Sequence, residues 1–337
     1  MSAAGEIAAV VAVPVRNEAA RLPRLLHALA AQRGGAPVVL SLLFDGCTDD
    51  SRDVVAALAP SLPYRVVGAE LAESGAPNAG RARAAAAALA SEQASGAPLL
   101  TTDADSEPDP DWVAANLAAL RHAEIVAGRI VLDTPAGAPV QSRLARYYDR
   151  VHALRRTLDP VGWEADESHH WTSGASLAFH ADAYRALGGF APLACGEDAD
   201  IADRAWRAGF RVRRDAGVTV RTSTRRQGRV IDGFGAGLAR MEAAADLPLV
   251  THPDDEQWRF RRHAEARRAF EAGEPWCCAA ALGAEPAALR ALAGEVPNAD
   301  AFAARAVGDP PGGMRQVSLA HAEALLEVAG GAMDDAA

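Results

Sequence analysis

The chain has 337 residues and a formal net charge of −10 at pH 7, which allows one large domain or two modest ones. An acidic chain lacks the clustered positive charge of a general nucleic-acid binder, which argues against nucleic acid as the partner. The four cysteines have no metal-like spacing, and no apolar run approaches the roughly 20 residues that span a bilayer. We therefore expect a reduced, cytoplasmic protein without a transmembrane segment, and peripheral contact with the inner face of the membrane stays open.

Apolar runs typical of buried strands alternate with segments of helical spacing through the first 130 residues. The strand-like runs cover 7–15, 37–44, 64–68, 99–100 and 124–132. Helical segments cover 19–32, a stretch ending at 58, a stretch opening at 78, and 111–122. Continuous apolar strands that alternate with helices predict an α/β fold with a mostly parallel central sheet and flanking helices.

The pattern loosens beyond residue 137 and becomes helical towards the carboxyl terminus. It predicts a helix over 140–158, a strand over 174–179, a helix from 196 that stops at Gly209, and one or two strands over 210–220. After about 233 the sequence is rich in Ala, Glu and Arg with few strand signals. We predict one domain over 1–235 and an α-helical C-terminal extension over 236–337, which packs, forms a homodimer surface or caps a site.

Two carboxylates, Asp103 and Asp105, follow the apolar run 98–100. In a strand end, residues two apart point to the same side, so both side chains would face one point. A hard divalent cation with oxygen ligands, Mg²⁺ or Mn²⁺, would hold such a pair together. A solvated acidic turn is the alternative. The metal interpretation is favoured because open α/β sheets bind ligands at the carboxyl ends of their strands.

A second acidic group, Glu197, Asp198 and Asp200, opens the helix that ends at Gly209. Acidic residues in a first helical turn are ordinary, because they complement the helix dipole. A carboxylate that faces a cavity there could instead remove a proton from a hydroxyl. With the first pair as metal ligands, the chain has the parts for metal-assisted transfer from a diphosphate donor.

Basic and aromatic residues leave further alternatives open. Arg81 and Arg83 open a helix, where they either bind a diphosphate or are surface charges. The loop cluster around Arg225 and Arg229 has the same two interpretations. The adjacent histidines before Trp171 cannot easily share one metal ion, so a structural or sugar-stacking role is favoured for that stretch. The sequence contains none of the Gly-x-Gly-x-x-Gly, Walker, Cys-x-x-Cys or Gly-x-Ser-x-Gly motifs.

Four motifs occur in an order that resembles family 2 glycosyltransferases. They are Val13-Pro14-Val15-Arg16-Asn17-Glu18, Asp45-Gly46-Cys47-Thr48-Asp49, Asp103-Ala104-Asp105 and Glu197-Asp198-Ala199-Asp200. The resemblance spans about residues 8–230 and implies the Rossmann-like GT-A fold. It also implies an inverting transfer from a nucleotide-diphospho-sugar, assisted by Mg²⁺ or Mn²⁺, to an acceptor that the sequence does not identify (a glycan, a lipid or a small molecule).

The resemblance also implies roles for individual residues. Asp198 would be the catalytic base, and Asp103 and Asp105 would hold the metal. The donor would be bound by Pro14, Val15, Arg16, Glu18, Asp45, Arg83, Asp103, Arg225 and Arg229. The acceptor side would be formed by Trp171, Gly174 and Glu197.

The sequence departs from the family at one position, because Phe44 stands where the first of two acids usually precedes Gly46. Two other classes of protein remain as alternatives. A nucleotidyltransferase acting on sugar phosphates would share the scaffold and the metal carboxylates, but it would normally have a Gly-rich basic loop after the first strand. A non-catalytic nucleotide-sugar binder would tolerate loss of the acids, all of which are present here.

Overall fold

The computed structural model describes residues 6–71, 78–133, 139–223 and 248–334. The chain divides into two compact units. The first contains the described residues within 1–134, 163–205 and 211–237, and the second those within 135–162, 206–210 and 238–337. The predicted domain boundary near residue 235 lies outside the described residues, so the predicted domain limits stay a prediction.

The first unit is built on a mostly parallel sheet that has eight strands in the part of the chain described. Their spatial order is β3-β2-β1-β4-β7-β6-β8-β5. The strands are β1 (Ala9–Val15), β2 (Val38–Asp45), β3 (Arg65–Leu71), β4 (Leu99–Thr101), β5 (Ser106–Pro108), β6 (Ile125–Asp133), β7 (Leu177–Phe179) and β8 (Val212–Ser223). The predicted α/β fold is confirmed.

Strands β3, β2, β1 and β4 are all parallel, and β1 lies between β2 and β4. Val15 is paired with Phe44, and Ala12 with Thr101. Strand β1 is apolar on both faces and almost fully buried, as expected for an interior parallel strand. Because the strands are parallel and in this register, their carboxyl ends share one edge of the sheet.

Four helices alternate along the chain with the strands from β1 to β6. They are α1 (Leu22–Ala30), α2 (Ser51–Leu58), α3 (Ala79–Ser91) and α4 (Trp112–Ala119). Leu22, Leu25, Leu26 and Leu29 of α1 have the helical spacing seen in the sequence, and all four are buried. Helix α3 packs through small alanines, and Asn78 caps it by accepting a hydrogen bond from the Arg81 amide at 2.8 Å.

The other half of the sheet is mixed. Strand β7 is antiparallel to both β4 and β6, β8 is parallel to β6, and β5 is antiparallel to β8. The predicted strand over 174–179 is only half correct, since Gly174–Ser176 forms a 3₁₀ turn before β7. Helices α6 (Ala181–Ala186) and α7 (Glu197–Ala208) follow β7. The single long strand β8 occupies the stretch predicted to hold one or two strands.

The second unit is mainly helical. Its elements are α5 (Pro139–Leu158), β9 (Leu249–Thr251), α8 (Pro253–Glu271), α9 (Ala279–Leu282), α10 (Pro286–Glu295), α11 (Ala299–Ala306), β10 (Gln316–Ser318) and α12 (Leu319–Asp334). Strands β9 and β10 form an antiparallel pair that the sequence did not predict. One apolar cluster surrounds Phe302 and another surrounds Tyr147 and Phe260. Among the described helices, none is long and apolar enough to cross a membrane.

Candidate active site

The site is assembled at the carboxyl edge of the parallel strands of the first unit. Arg16 follows β1, Asp45 ends β2, and Asp103 lies two residues beyond β4. Arg16 Nη1 lies 3.1 Å from Asp45 Oδ2, so the ends of β1 and β2 are joined by a partly buried ion pair. Parallel strands in register bring these residues together although they are far apart in the sequence.

The loop after β1 is attached to the loop after β2 through Asn17. Asn17 has a φ of 53°, in the left-handed region. Its Oδ1 accepts hydrogen bonds from the amides of Thr48 (2.7 Å) and Asp49 (3.3 Å). The Glu18 amide donates to Ser51 Oγ at 2.8 Å. The two loops therefore form one cross-linked surface that carries Arg16 and Asp45.

The predicted donor-binding residues on β1 and in the loop after it differ in their exposure. Pro14 is half-buried, Glu18 is buried, and Val15 is 0% exposed. The Val15 side chain therefore belongs to the apolar core, where it packs with the other β1 residues. Its carbonyl accepts a hydrogen bond from Cys47 Sγ. Only the backbone of Val15 is left to face a ligand.

Asp103 and Asp105 lie in a turn. Strand β4 ends at Thr101, and the Ser106 amide closes the turn on the Asp103 carbonyl at 3.1 Å. The expectation that a strand sets their direction is therefore wrong. The turn nevertheless buries Ala104 between them and leaves their side chains 33% and 20% exposed. Both carboxylates reach the surface of the unit within one turn.

This acidic pair fits a divalent cation that is also bound by substrate. Within the described residues no group of three or more His, Cys, Asp or Glu side chains could hold a metal ion. Mg²⁺ in proteins is commonly held by one or two carboxylates together with substrate phosphates, so two aspartates are a sufficient protein share. Arg21 Nη1 lies 4.0 Å from Asp105 Oδ2, and Arg83 Nη1 lies 3.1 Å from Asp103 Oδ1.

Arg83 is buried at the centre of the site. Its guanidinium donates from Nε to Glu197 Oε1 at 2.9 Å and from Nη1 to the Gly174 carbonyl at 3.0 Å. Burial alone would lower the pKa of Arg83, but the carboxylates of Asp103 and Glu197 outweigh it and raise the pKa above its usual value. Arg83 is therefore a permanent cation between two carboxylates.

The first turn of α7 contacts the loop before β7. The Gly174 amide donates to Asp198 Oδ2 at 3.0 Å, and Asp198 Oδ1 accepts from the Ala199 amide at 2.8 Å. Glu197 is 4% exposed. The structure thus brings Glu197, Asp198 and Gly174 to the same place as Asp103. Glu197 faces Arg83, and Asp198 faces the Gly174 backbone.

The loop over 163–173 carries Trp171. Its amide donates to His169 Nδ1 at 3.1 Å, and its ring lies 4.7 Å from that of His170. Burial, with Arg214 and Arg129 nearby, lowers the pKa of His169 to about 3, so this ring is neutral at pH 7. Arg214 Nη2 donates to Thr172 Oγ1 at 3.1 Å. His169 thus has a structural role, while Trp171 is half-buried against the core.

Arg225 and Arg229 fall outside the described residues. Arg211 pairs with Glu124, and Arg213 pairs with Asp215 at 2.8 Å. These two arginines are therefore neutralised separately and do not form an anion-binding cluster.

Sequence reasoning missed the close approach that brings α7 to α3. The Gly80 amide donates to the Leu193 carbonyl at 2.9 Å, and Asn78 Nδ2 donates to the Pro192 carbonyl at 2.9 Å. A methyl group on Gly80 would lie 2.7 Å from the Leu193 amide nitrogen, so only glycine fits. The stretch Asn78-Ala79-Gly80 predicts a helix start, and the glycine within its first turn was the available signal for a close backbone contact.

The fold is similar to that of GT-A glycosyltransferases of known structure. The mannosyltransferase PcManGT from Pyrobaculum calidifontis, in complex with GDP-Man and Mn²⁺, matches 87% of this chain and 80% of its own at 20% identity and a TM-score of 0.50. Residues 1–349 of TarS from S. aureus, in complex with UDP-GlcNAc, match with 88% coverage of both chains, 17% identity and a TM-score of 0.48. A longer TarS chain gives 16% identity, 77% coverage of this chain and a TM-score of 0.46, and this chain spans 43% of its length.

One family model matches part of the sequence. Residues 10–168 match the family model for glycosyl transferase family 2. These residues include β1 to β6 and the Asp45 and Asp103 motifs. The match covers just under half of the chain, and this part is similar to glycosyl transferase family 2. A comparison with curated proteins finds no match.

Proposed function

We propose that this glycosyltransferase moves a sugar, with inversion, from a nucleotide-diphospho-sugar to an acceptor hydroxyl, and that a divalent cation assists. The observation that carries the proposal is that Arg83 contacts both Asp103 and Glu197, which adjoins Asp198. A carboxylate of the donor side and a carboxylate able to act as base therefore lie around one buried cation. The family match favours this activity over the nucleotidyltransferase alternative.

The donor nucleotide would bind on the surface formed by the loops after β1 and β2. Arg16 and Asp45 are joined there, and Asn17 fixes the backbone on either side. Arg16 is 25% exposed in its side chain, which leaves part of the guanidinium accessible to a ligand. Asp45 is buried apart from a small surface. Phe44, which replaces an acid, is 6% exposed and packs in the core, so it offers a nucleotide base no polar contact.

Asp198 would act as the general base. One of its oxygens accepts from the Gly174 amide and the other from the Ala199 amide, and these bonds orient the carboxylate. In the reaction the acceptor oxygen attacks the anomeric carbon and its proton passes to Asp198. The bond from the anomeric carbon to the diphosphate breaks on the opposite face, and the nucleoside diphosphate leaves with the electron pair. Attack opposite the leaving group inverts the anomeric configuration.

Asp103 and Asp105 would hold the cation, whose chemistry is to offset the negative charge that develops on the departing diphosphate. These residues fit the role, because each exposes part of its carboxylate on one short turn. Arg21 would add positive charge beside Asp105 at 4.0 Å. The acceptor would approach over Trp171, whose half-buried ring offers a flat apolar surface to a sugar face.

The first experiment is a thermal-shift panel of UDP, GDP, CDP and dTDP, each with and without Mn²⁺. A ligand at about 100 times its dissociation constant stabilises the folded state by about 2.7 kcal/mol, which such a scan registers. We expect one nucleotide to stabilise the chain, and more so with Mn²⁺. GDP-Man with Mn²⁺ is the donor to try first, because PcManGT binds that pair. No shift with any nucleotide would count against the proposal.

Two substitutions separate the proposed roles of the carboxylates. Asp198→Asn keeps an oxygen for the Gly174 amide, so we expect normal nucleotide affinity and about 100- to 10,000-fold slower transfer. Asp103→Ala should instead remove the Mn²⁺ effect on nucleotide affinity. Asp182→Ala is a matched control, since Asp182 is exposed on α6 and pairs with Arg185. Retained turnover in Asp198→Asn would mean that the base lies elsewhere. Proton NMR of the first product formed tests inversion.

A further inference from the structure

We propose that Arg83 is a positioning residue, which fixes the carboxylates of the site relative to one another and does not contact the donor. The inference rests on the proposed function, and it revises what the family resemblance implied for this residue. Arg83 sits in the second turn of α3, and its side chain is 8% exposed. So little surface leaves no face of the guanidinium for a nucleotide or a diphosphate.

The directions of its hydrogen bonds show what Arg83 holds. The Nε group binds Glu197, while Nη1 lies 3.1 Å from Asp103 Oδ1 and 3.0 Å from the Gly174 carbonyl. The planar guanidinium thus joins the turn after β4, the first residue of α7 and the loop before β7. A guanidinium has a fixed fork of donors, so these three segments are held at set angles as well as set distances.

The surroundings of Arg83 keep it in this single position. Gly174 packs against the guanidinium so closely that a methyl group there would lie 2.5 Å from Arg83 Nε. On another side the Phe190 ring centre is 5.9 Å from Arg83 Cζ, within range of a cation–π contact. A cation enclosed by a backbone, an aromatic ring and two carboxylates has little freedom to turn towards a ligand.

The backbone that carries Arg83 is also held in place. Helix α3 begins at the Asn78 cap, and its first turn is hydrogen-bonded to the segment that leads into α7 through Gly80 and Leu193. Arg83 and Glu197 therefore extend from two elements that are already joined by their backbones. The ion pair between Arg83 and Glu197 also fixes the orientation of Glu197. Because Asp198 is the next residue of α7, its position is fixed as well.

The buried carboxylate of Glu197 is stabilised in its charged form by the cation of Arg83. Its side chain is 5% exposed, and Arg83 is the ion-pair partner that the structure gives it. A buried carboxylate that loses its cation must shift or take up a proton. Either change moves the first turn of α7, which holds Asp198. Removal of Arg83 should therefore slow the chemical step more than it weakens nucleotide binding.

The test compares Arg83→Lys and Arg83→Met in the full chain. Affinity for UDP and GDP is measured by calorimetry without metal and then with Mn²⁺. Turnover is measured as release of UDP from UDP-GlcNAc and of GDP from GDP-Man. We expect metal-free affinity within about threefold of the unaltered chain. Turnover should fall by about 100-fold in Arg83→Met, the scale of a misplacement near 1 Å, and recover in part in Arg83→Lys.

Arg204→Lys is the matched control. Arg204 also joins a carboxylate to backbone carbonyls, since it binds Asp200 at 2.8 Å and the Gly189 carbonyl at 2.8 Å. It has no part in the proposed chemistry, so this variant should lose some stability and keep its turnover. Loss of turnover in Arg204→Lys as well as in Arg83→Met would assign Arg83 an ordinary structural role and overturn the inference.

Other results separate the inference from the proposed function. Metal-free affinity weakened tenfold or more in both Arg83 variants would mean direct contact with the donor, and the inference would fail. An unaltered chain without turnover would count against the proposed function, while the affinities still decide whether Arg83 contacts nucleotide. If neither nucleotide binds, urea unfolding of Arg83→Met, Glu197→Gln and the double variant decides. Additive effects of the two single changes would show that the pair is not coupled.

Discussion

The backbone of Gly174 connects Asp198 to Arg83 and to the end of β4. Its amide donates to Asp198 Oδ2 at 3.0 Å, and its carbonyl accepts from Arg83 at 3.0 Å and from Thr101 Oγ1 at 2.8 Å. Thr101 is the last residue of β4, two positions before Asp103. One peptide segment without a side chain therefore sets the distance between the proposed base and the acidic turn.

Gly174→Ala should damage both stability and activity. The new methyl group would meet the Arg83 guanidinium, which two carboxylates hold in place. Overpacking of this kind typically costs about 1–3 kcal/mol in the free energy of unfolding, measured by urea titration. We also expect slower donor turnover, because the methyl group displaces Arg83 or Asp198.

Gly294→Ala provides the contrast for that variant. Gly294 is the second-last residue of α10, and the methyl group would meet open space there. Alanine is a better helix former than glycine by about 1 kcal/mol, so this change should stabilise the chain. Equal effects of the two substitutions on unfolding would contradict the close packing described at Gly174.

Asn17 should tolerate glycine better than alanine. Both substitutions remove the hydrogen bonds to the Thr48 and Asp49 amides. Alanine must in addition adopt a φ near 53°, at a cost of roughly 1–2 kcal/mol that glycine does not incur. In urea unfolding, the free energy of unfolding of Asn17→Gly should therefore exceed that of Asn17→Ala by about 1 kcal/mol. Identical stabilities would mean that the left-handed backbone is not maintained in the variants.

The sequence was sufficient to predict the strands and helices of the parallel half of the sheet. Strand β1 and helix α1 were predicted within a few residues, because continuous apolar runs and leucines at helical spacing are strong local signals. The carboxyl edge as the place of the site followed from the parallel arrangement. Short elements were missed: β5 has three residues, two of them polar and the third a proline, and α6 has six.

The contacts inside the site could not be predicted from local patterns. Arg83 and Glu197 are 114 residues apart in the chain, and only the folded sheet brings them together. The spacing of Asp103 and Asp105 suggested a strand, but the chain turns there because Thr101 is the last residue paired in β4. The orientation of Arg83 likewise depends on tertiary neighbours, which local sequence patterns do not give.

Arg267→Met should strongly destabilise the second unit. Arg267 pairs with Asp159 and, from Nε at 2.9 Å, with Asp300, and all three side chains are at most 12% exposed. Removing the cation leaves two buried carboxylates without it, which typically costs about 3–5 kcal/mol. The measurement is urea unfolding. Arg268→Met is the control, because the next residue of α8 is exposed and should change stability by less than about 0.5 kcal/mol. Similar losses in both variants would contradict the buried pair.

Stability at mildly acidic pH should depend on His263. Burial, and then the cations of Arg259 and Arg267, lower the pKa of His263 to about 3, against about 6.5 for the unfolded chain. Below pH 6.5 the unfolded chain binds a proton that the folded chain does not. This contribution to stability is therefore complete above pH 6.5, and it is lost by about 1.4 kcal/mol per pH unit as the pH falls towards 3.

His263→Phe tests this assignment, since phenylalanine keeps an aromatic ring against Trp206, whose centroid lies 4.7 Å from that of His263. The free energy of unfolding is measured by urea titration between pH 5 and 7 for both chains. His169 has a similarly lowered pKa and remains in both, so it cancels in the comparison. We expect the variant to lose less stability on acidification, by about 1.4 kcal/mol per pH unit below 6.5. Parallel pH profiles would show that the pKa of His263 is the same in the folded and the unfolded chain, and that its burial against Trp206 is not maintained in solution.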